Sequence, residues 1–335
     1  MKKLAVIILN WNGLALLREF LPEAARHTIS PEADLIVADN GSDDGSVEWV
    51  RENFPQVGVL ELGRNYGFAE GYNHAIEATG YEYTLLLNSD VMVEQGWWQP
   101  LLRFMEANPQ AGGCQPKIHS YREPGMFEYA GAAGGLLDRL GYPYCRGRMA
   151  SEVEADRGQY DGAPAEVAWA SGAALMVRTR WYREAGGLDP KFFAHMEEID
   201  LCLRMRAQGH PVYALTDSAV RHVGGASLAQ GNPQKTYLNF RNNLLLLHKN
   251  LPRSRGKRLL FFRRLMDTAA LLMFLVKGDL PNTRAVLKAH RDFRRMKRDY
   301  KEFPAVDILS ILPGRHTLVP LHQLRQIIPF RRHPL

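Results

Sequence analysis

The chain has 335 residues, 46% hydrophobic and 23% charged, which excludes a disordered chain and indicates one large globular domain with room for an appendage. Cys114, Cys145 and Cys202 are far apart in sequence, which argues against a disulfide framework or a thiolate zinc site and suits a reducing compartment. The net charge of +6 is uneven: residues 251–335 hold 19 Lys and Arg against 6 Asp and Glu, a net +13, and residues 1–250 hold 23 against 30, a net −7.

Short apolar runs alternate with helix-like segments through the first 110 residues. The predicted strands are 4–9, 34–39, 57–62 and 83–88, and the predicted helices are 14–28, 46–53, 68–79 and 94–107. Strands of continuous rather than alternating apolar character predict βαβ units and a parallel sheet covered on both faces. The run at 4–9 is too short for a signal peptide and has no small-residue cleavage site, so we interpret it as the first buried strand.

The second part of the chain is less regular. Residues 111–165 are rich in Gly, Pro, Tyr and Arg and predict irregular hairpins. The remaining predictions are a strand at 166–178, a helix near 179–185, a helix at 196–209, strands near 211–215 and 219–222, and a closing helix that ends near 250. We therefore divide the chain into a globular domain, 1–250, with a regular half (1–110) and a less regular half (111–250), and a basic helical region (251–335).

The basic region contains one apolar helix, 266–280, flanked by Arg263, Arg264 and Lys277. Its apolar core of about eleven residues is too short to cross a bilayer, which takes about twenty. A basic helix with apolar and aromatic residues suits the membrane interface, so we expect association with an anionic membrane surface. The alternative is a helix that packs on the core. Nucleic acid binding is not expected, because the basic residues alternate mostly with Leu, Phe and Met rather than with stacking aromatics.

Polar residues follow each of the first four predicted strands, at 10–13, 39–46, 63–71 and 88–90. In parallel α/β sheets, ligands bind beyond the carboxyl ends of the strands. We therefore expect these four loops to meet at one crevice.

Three of these loops have ambiguous motifs. Asp39 and Asp44 in "VADNGSDDGS" suit a nucleotide base or ribose, but the same residues form turns and helix caps. Gly67 and Gly71 in "GRNYGFAEGYNHAI" suit close approach to a phosphate, although neither a dinucleotide fingerprint nor a P-loop is present. Asp90 in "LLLNSD" has no packing role past a buried strand and suits Mg²⁺ or Mn²⁺, with a helix-entry turn as the alternative.

Acidic residues open the helix at 196–209. Glu197 and Glu198 suit a general base, and crowded like charges would raise their pKa values. The alternative is that they stabilise the helix N-terminus. His222, before a Gly pair, suits a metal or phosphate role or a structural one, and Arg241 suits a diphosphate or the surface.

Taken together, "VIILNWNG", "VADNGSDDGS", "NYGFAEGYN", "LLLNSD", "WASGAALMVR", "FFAHMEEIDLCLR", "HVGGAS" and "FRNN" resemble the family 2 glycosyltransferases, in particular the bacterial rhamnosyltransferase-like branch. The resemblance covers about residues 3 to 245. It implies a GT-A fold, in which a mostly parallel nucleotide-binding sheet with helices on both faces joins an acceptor-binding half.

The resemblance also implies roles for individual residues. The expected donor-binding residues are Asn10, Asp39, Asn65, Gly67, Gly71, Asn73, Ser89 and Arg241. The expected metal ligands are Asp90 and His222, and the expected acceptor-binding residues are Trp169, Ser171, Gly172 and Asp200. Glu198 stands at the position of the catalytic base. Two departures leave questions open: Asn88 replaces the first acid of the usual DxD motif, and the usual Glu-Asp pair is Glu197-Glu198, so either glutamate could be the base.

We therefore predict an inverting, metal-dependent hexosyltransferase that uses Mg²⁺ or Mn²⁺. The predicted donor is dTDP-rhamnose, and the predicted acceptor is a polyprenyl-diphosphate-linked sugar or a growing cell-surface glycan. The predicted location is the cytoplasmic face of the cell membrane. The alternatives are a UDP-sugar donor, or a non-catalytic protein that binds sugar nucleotide or nucleic acid. A nucleotidyltransferase is disfavoured because the loop after the first strand, "NWNGLALL", has no basic residue.

Overall fold

The computed structural model describes residues 2–149, 151–224 and 231–312. Residues 225–227 of the "HVGGAS" motif and residues 313–335 of the basic region lie outside the described residues. The strands are β1 Leu4–Asn10, β2 Ala33–Asp39, β3 Gly58–Glu61, β4 Tyr83–Leu87, β5 Val91–Met92, β6 Gly113–Ser120, β7 Gly135–Leu137, β8 Pro143–Cys145, β9 Arg148–Met149, β10 Glu152–Val153, β11 Ala165–Val167, β12 Ala174–Arg178 and β13 Val212–His222. The α-helices are α1 Leu14–Thr28, α2 Ser46–Asn53, α3 Gly67–Glu77, α4 Gln99–Ala107, α5 Thr179–Glu184, α6 Glu197–Ala207, α7 Pro233–Asn250, α8 Arg253–Val276, α9 Leu280–Met296 and α10 Ile308–Ile311.

A nine-stranded sheet forms the centre of the molecule, in the order β11-β13-β6-β12-β4-β1-β2-β3, with β5 beside β13. Strands β4, β1, β2 and β3 run parallel, as predicted, and β13 is parallel to β6. Strand β12 runs antiparallel to both β4 and β6 and joins the two halves. The predicted fold class, a mostly parallel α/β sheet of the GT-A type with helices on both faces, is confirmed.

Burial on both faces explains the continuous apolar sequence of β1. Ala5 and Ile7 belong to the apolar cluster on one face, and Leu4, Val6 and Ile8 belong to the cluster on the other. Because successive strand residues point to opposite faces, every position of this strand is in a core. Its polar end, Asn10, pairs in register with Asp39 at the end of β2, which brings the two predicted loops together.

Several predicted boundaries are wrong, most of them in the second half of the chain. The strand predicted at 166–178 is two strands, β11 and β12, and the two strands predicted at 211–222 are one strand, β13, with a register shift between Leu215 and Ala219. The helix predicted at 94–107 begins at Gln99. Within 111–165, an eight-residue strand, β6, joins the central sheet, and a separate small sheet has the order β10-β9-β8-β7.

The basic region continues as helices that pack on the closing helix of the core. Helices α8 and α9 both contact α7 and each other. The apolar segment 266–276 is the second half of α8; its residues are half-buried or exposed except Asp267, so it is not an ordinary buried helix. Of the helices in the described part of the chain, none combines the length and the apolar character that a membrane span requires.

Candidate active site

The ends of β1 and β2 form one polar corner of the site. Asn10 donates from Nδ2 to Asp39 Oδ1 at 3.2 Å, and Asp39 Oδ2 accepts from the backbone N–H groups of Gly41 and Ser42. Both side chains are buried, and among the described residues no donor reaches Asn10 Oδ1. A buried acceptor without a donor costs free energy, so this corner suits an N–H or O–H of a ligand.

The loop after β3, which contains Asn65 and Gly67, contacts both the polar corner at the ends of β1 and β2 and the segment before α6. Asn65 Oδ1 accepts from Asn40 Nδ2 at 3.1 Å and from Gly67 N at 2.8 Å. Gly67 has φ of +75°, and a Cβ there would lie 3.2 Å from the ring of Phe193. A side chain at Gly67 is therefore disfavoured by conformation and by space. The predicted donor loop thus lies against the segment that leads into α6.

Two other predicted donor-binding residues of this loop have internal partners. A Cβ on Gly71 would lie 3.0 Å from the methyl groups of Leu9, so this glycine allows close packing of α3 on β1. Asn73 donates to Leu188 O and accepts from Leu188 N and from the Tyr182 hydroxyl. Because this amide is already engaged on both its oxygen and its nitrogen, the geometry does not support a donor-binding role for Asn73.

Asp90 forms a buried ion pair with His222 at the turn between β4 and β5. His222 Nε2 lies 3.1 Å from Asp90 Oδ1, and Asn88 Nδ2 lies 3.4 Å from the same ring nitrogen. His222 Nδ1 points toward Glu128 Oε2 at 3.7 Å, which is an ion-pair distance but too long for a hydrogen bond. Burial alone would lower the pKa of His222, but the hydrogen bond to Asp90 and the charges of Asp90 and Glu128 raise it to about 9. Ser89, a predicted donor-binding residue, lies between Asn88 and Asp90 in this turn and is half-buried.

The Asp90–His222 pair fits a divalent cation that is shared with a substrate. In the described ranges, no group of three His, Cys, Asp or Glu side chains is arranged around a metal position. Mg²⁺ and Mn²⁺ bound with a diphosphate need only one or two carboxylates from the protein, and an imidazole is a further suitable ligand. Asp90 and His222 supply one of each, and both are buried; a cation on His222 Nε2 would displace the proton that the pairing with Asp90 favours.

Helix α6, which begins with Glu197 and Glu198, follows a segment with an uncommon backbone conformation. Phe193, His195 and Met196 have φ values of 66°, 68° and 72°, a region that non-glycine residues rarely adopt. Arg241 Nη2 donates to Lys191 O and Phe192 O. The adjacent Asn242 donates to the carbonyls of three residues of the same segment, Phe192, Ala194 and His195.

These contacts give Arg241 an internal role. Its remaining donors, Nε and Nη1, bond to Asn242 Oδ1 and to the Tyr237 hydroxyl, and the side chain is buried. The protein thus accepts four hydrogen bonds from the guanidinium, which holds the segment that precedes α6. The geometry does not support a diphosphate contact for Arg241.

Glu197 and Glu198 lie in the first turn of α6, and within the described part of the chain their Oε2 atoms have no hydrogen-bond partner. Burial raises the pKa of Glu198 to about 7, and burial together with the charge of Glu198 raises the pKa of Glu197 well above its ordinary value. Glu197 is buried and Glu198 is half-buried. A Cβ on Gly172 would lie 3.9 Å from Glu198 Cβ and 3.5 Å from the Phe68 ring, so Gly172 leaves space beside this carboxylate.

The other predicted acceptor residues stabilise the walls of the site. Trp169 donates from its indole to Leu136 O, and Ser171 donates from Oγ to Ala130 O. Asp200 is fully buried and binds Arg204, Lys249 and Asn250. Its carboxylate has no exposed oxygen for an acceptor, so the predicted acceptor-binding role of Asp200 is not supported.

Sequence reasoning missed Glu128, Phe193 and Asn242. Glu128 stands alone in an irregular stretch, so no motif pointed to it. Phe193 and Asn242 lie inside the quoted motifs "FFAHMEEIDLCLR" and "FRNN", and the first Asn of the "NN" pair, next to a predicted functional arginine, was a signal that could have been used.

Comparison with known proteins agrees with this fold. Residues 5–134 match the family model described as glycosyl transferase family 2. N-acetylglucosaminyl-diphospho-decaprenol L-rhamnosyltransferase of Mycobacterium tuberculosis is 27% identical over 238 residues, which cover 65% of this chain and 76% of the relative. The low-salt glycan biosynthesis hexosyltransferase Agl10 of Haloferax volcanii is 23% identical over 228 residues, 65% of this chain and 68% of the relative.

Two solved structures share the fold. The structure of GalNAc-T7 with UDP, GalNAc and Mn²⁺ has a TM-score of 0.58 at 14% identity and covers 75% of this chain, which spans about half, 48%, of the solved chain. Residues 1–349 of TarS from S. aureus have a TM-score of 0.57 at 15% identity, over 92% of this chain and 83% of the solved one. The fold is therefore of the GT-A type. In sequence, the chain is similar to glycosyl transferase family 2 over residues 5–134 and, at 27% identity, to a rhamnosyltransferase.

Asp200 offers a test of the internal network. We expect Asp200→Ala to lower the free energy of unfolding by about 3–5 kcal/mol, because Arg204 would lose its carboxylate and Lys249 would keep only Asp189. Urea unfolding followed by circular dichroism measures this change. Glu184→Ala, which removes an exposed ion pair with Arg180, is the matched control and should change stability by less than about 1 kcal/mol. Equal effects of the two variants would contradict the assignment of Asp200 to the internal network.

Proposed function

We propose that the protein is an inverting glycosyltransferase that moves a sugar from a nucleoside diphosphate donor, dTDP-rhamnose in the first instance, to a hydroxyl of a lipid-linked or polysaccharide acceptor. The observation that carries this proposal is the position of Glu198. Its carboxylate has a pKa of about 7 and lies beside the space at Gly172. In the preceding segment, Phe193 lies against Gly67 of the donor loop.

The reaction is a single displacement. Glu198 takes the proton of the acceptor hydroxyl, and the oxygen lone pair forms a bond to the anomeric carbon of the donor. The bond from that carbon to the diphosphate oxygen breaks, and its electron pair leaves with the nucleoside diphosphate. Attack on the face opposite the leaving group inverts the anomeric centre. A base with a pKa near the working pH is suited to this proton transfer, which favours Glu198 over the more deeply buried Glu197.

The diphosphate needs positive charge near Asp90. The side chains there include two carboxylates, Asp90 and Glu128, and one imidazole, His222. A divalent cation held by Asp90 and His222 would neutralise charge on the leaving group when bound. Asn10, Asp39 and Asn65 would bind the rest of the nucleotide, because they form the corner at the ends of β1 and β2 and the loop beside it.

The relative from M. tuberculosis supports the choice of substrates, since its name includes rhamnosyl transfer and a diphospho-decaprenol acceptor. A UDP-sugar is the alternative donor. A lipid-linked acceptor lies in a membrane, and the excess of 13 positive charges in residues 251–335 suits attachment to an anionic membrane surface. We therefore propose a peripheral position on the cytoplasmic face of the cell membrane.

Nucleotide binding tests the donor and metal assignments. We expect calorimetry with dTDP, UDP and GDP to show one preferred nucleotide whose affinity depends on Mn²⁺ or Mg²⁺. Asp90→Asn should weaken that metal-dependent binding about 10- to 100-fold, by analogy with losses at other metal sites. Asp217→Ala, which removes an exposed carboxylate from β13, is the control. Metal-independent binding that Asp90→Asn leaves unchanged would remove the metal from the mechanism.

The pH dependence of transfer tests the catalytic base. Because the carboxylate must be ionised to accept a proton, we expect kcat/KM to fall as the pH drops below about 7, the pKa of Glu198. Glu198→Gln should lower transfer about 10²- to 10⁴-fold and leave nucleotide binding nearly intact. Glu197→Gln is the matched variant and should retain more activity. If Glu197→Gln abolishes transfer and Glu198→Gln does not, the two roles must be exchanged.

A further inference from the structure

We propose that α8 is a docking site for anionic phospholipids, in which its solvent-facing side enters the bilayer and an adjoining arginine-lined cavity binds lipid phosphate. This inference rests on the proposed use of a lipid-linked acceptor. It extends that proposal by identifying the surface that meets the membrane and the charge of the lipid.

Helix α8 buries two charged residues and exposes large apolar ones, unlike an ordinary surface helix. Its buried side includes Arg263 and Asp267, which pair with each other; Arg263 lies 3.7 Å from the centre of the Tyr142 ring, and Asp267 lies 3.0 Å from His290. A surface helix normally turns charged residues to water and apolar ones to the core. The ion pairs and the Tyr142 ring offset the charges that α8 buries, although Arg263 Nε and Nη1 have no hydrogen-bond partner among the described residues.

The opposite side of α8 is apolar and exposed. The residues of this outer face are Phe261, Phe262, Leu265, Leu272, Leu275 and Val276, which are between 48% and 89% exposed. Their spacing of three, four or seven residues places them along one side of the helix. Arg264 and Thr268 are exposed on the same side, but six large apolar residues exposed along one side of a helix mark an interaction surface rather than scattered surface residues.

A basic cavity lies at the N-terminal end of the outer face. It has a volume of about 480 Å³ and is lined by Arg139, Arg255, Arg258, Leu140, Leu259 and Phe262. Phe262 belongs to both the cavity and the outer face. Arg255 lies 3.2 Å from Asp307, whereas no acidic partner lies within ion-pair distance of Arg139 or Arg258 among the residues that the structure describes. Guanidinium groups bind phosphate oxygens through paired hydrogen bonds, so the cavity suits a phosphate group.

Charge complementarity favours a membrane over the other possible occupants of this surface, which are a second copy of the chain and residues 313–335. A second copy related by two-fold symmetry would bring the same arginines to its partner. Residues 313–335 carry four arginines and no acidic residue, so this segment would also add positive charge. An anionic bilayer offers phosphate at its surface and hydrocarbon below it, which matches the cavity and the outer face together.

A fluorescent label at the outer face tests the proposal directly. The native cysteines Cys114, Cys145 and Cys202 are buried, so a polarity-sensitive dye can be attached selectively to Phe262→Cys in the full-length chain. We expect the emission to shift to shorter wavelength when vesicles containing phosphatidylglycerol are added, and to shift far less with phosphatidylcholine alone. A short-wavelength emission before any vesicle is added would show that the chain or a second copy covers this face, and would overturn the proposal.

Substitutions separate the two parts of the surface. In vesicle co-sedimentation, we expect Arg139→Gln with Arg258→Gln to weaken binding to anionic vesicles about tenfold or more, because each basic residue near the surface adds to the attraction. Leu265→Gln with Leu272→Gln should weaken binding to a similar degree by removing apolar insertion. The matched control is Arg26→Gln with Arg51→Gln, which removes two exposed arginines from α1 and α2 and should change binding less than about twofold.

Three outcomes would overturn the docking proposal. They are equal binding to neutral and anionic vesicles, an equal loss in the control variant, and a self-association in solution that the leucine substitutions abolish. Nucleotide binding and transfer to a water-soluble acceptor analogue should be unchanged in all these variants. If the wild-type protein binds anionic vesicles but transfers no sugar, the proposed function fails and the docking site stands. If transfer proceeds but the wild-type protein does not bind anionic vesicles, the docking site fails and the proposed function stands.

Discussion

The active site depends on the hydrogen bonds that Arg241 and Asn242 donate to the carbonyls of residues 191–195. Left-handed backbone at non-glycine residues persists only where the surroundings fix it. Here helix α7 fixes it, and the segment then begins α6 with Glu198 beside Gly172 and places Phe193 against Gly67. The proposed donor loop, the proposed acceptor side and the proposed base therefore meet because one helix holds the segment between them.

The parallel half of the fold could be predicted because its strands are buried on both faces. That burial requires continuous apolar runs, and the polar residues that end them, such as Asn10 and Asp39, are then conspicuous. The roles of Asn73, Asp200 and Arg241 could not be predicted in the same way. A buried amide, carboxylate or guanidinium satisfies its hydrogen bonds equally well with a ligand or with the protein, and only the direction of the side chain distinguishes the two cases.

The strands of the second half of the fold could not be predicted, for a related reason. Strand β6 contains Gln115, Pro116 and Lys117, a pattern that argues against a central strand. In the fold, Gln115 accepts from the backbone of Ser171 and donates to carbonyls near Gly131, and Lys117 pairs with Asp156 and Asp161. These partners come from distant loops, so the pattern that would reveal the strand is not local. Glu128, whose Oε2 lies 3.7 Å from His222 Nδ1, belongs to the same irregular region, so no sequence motif indicated it.

Helix α7 connects the chemistry to the surface that we propose for the membrane. Lys249, near its C-terminal end, binds Asp200 of the catalytic helix and Asp189 before it. Helices α8 and α9 pack on the same helix, and Tyr300 donates to Asp189. The basic region is thus joined to the catalytic segment by direct polar contacts rather than by a linker. If α8 lies in the bilayer surface, this rigid connection sets the height of Glu198 above the membrane, and an acceptor hydroxyl at that height would be selected by its distance from the lipid anchor.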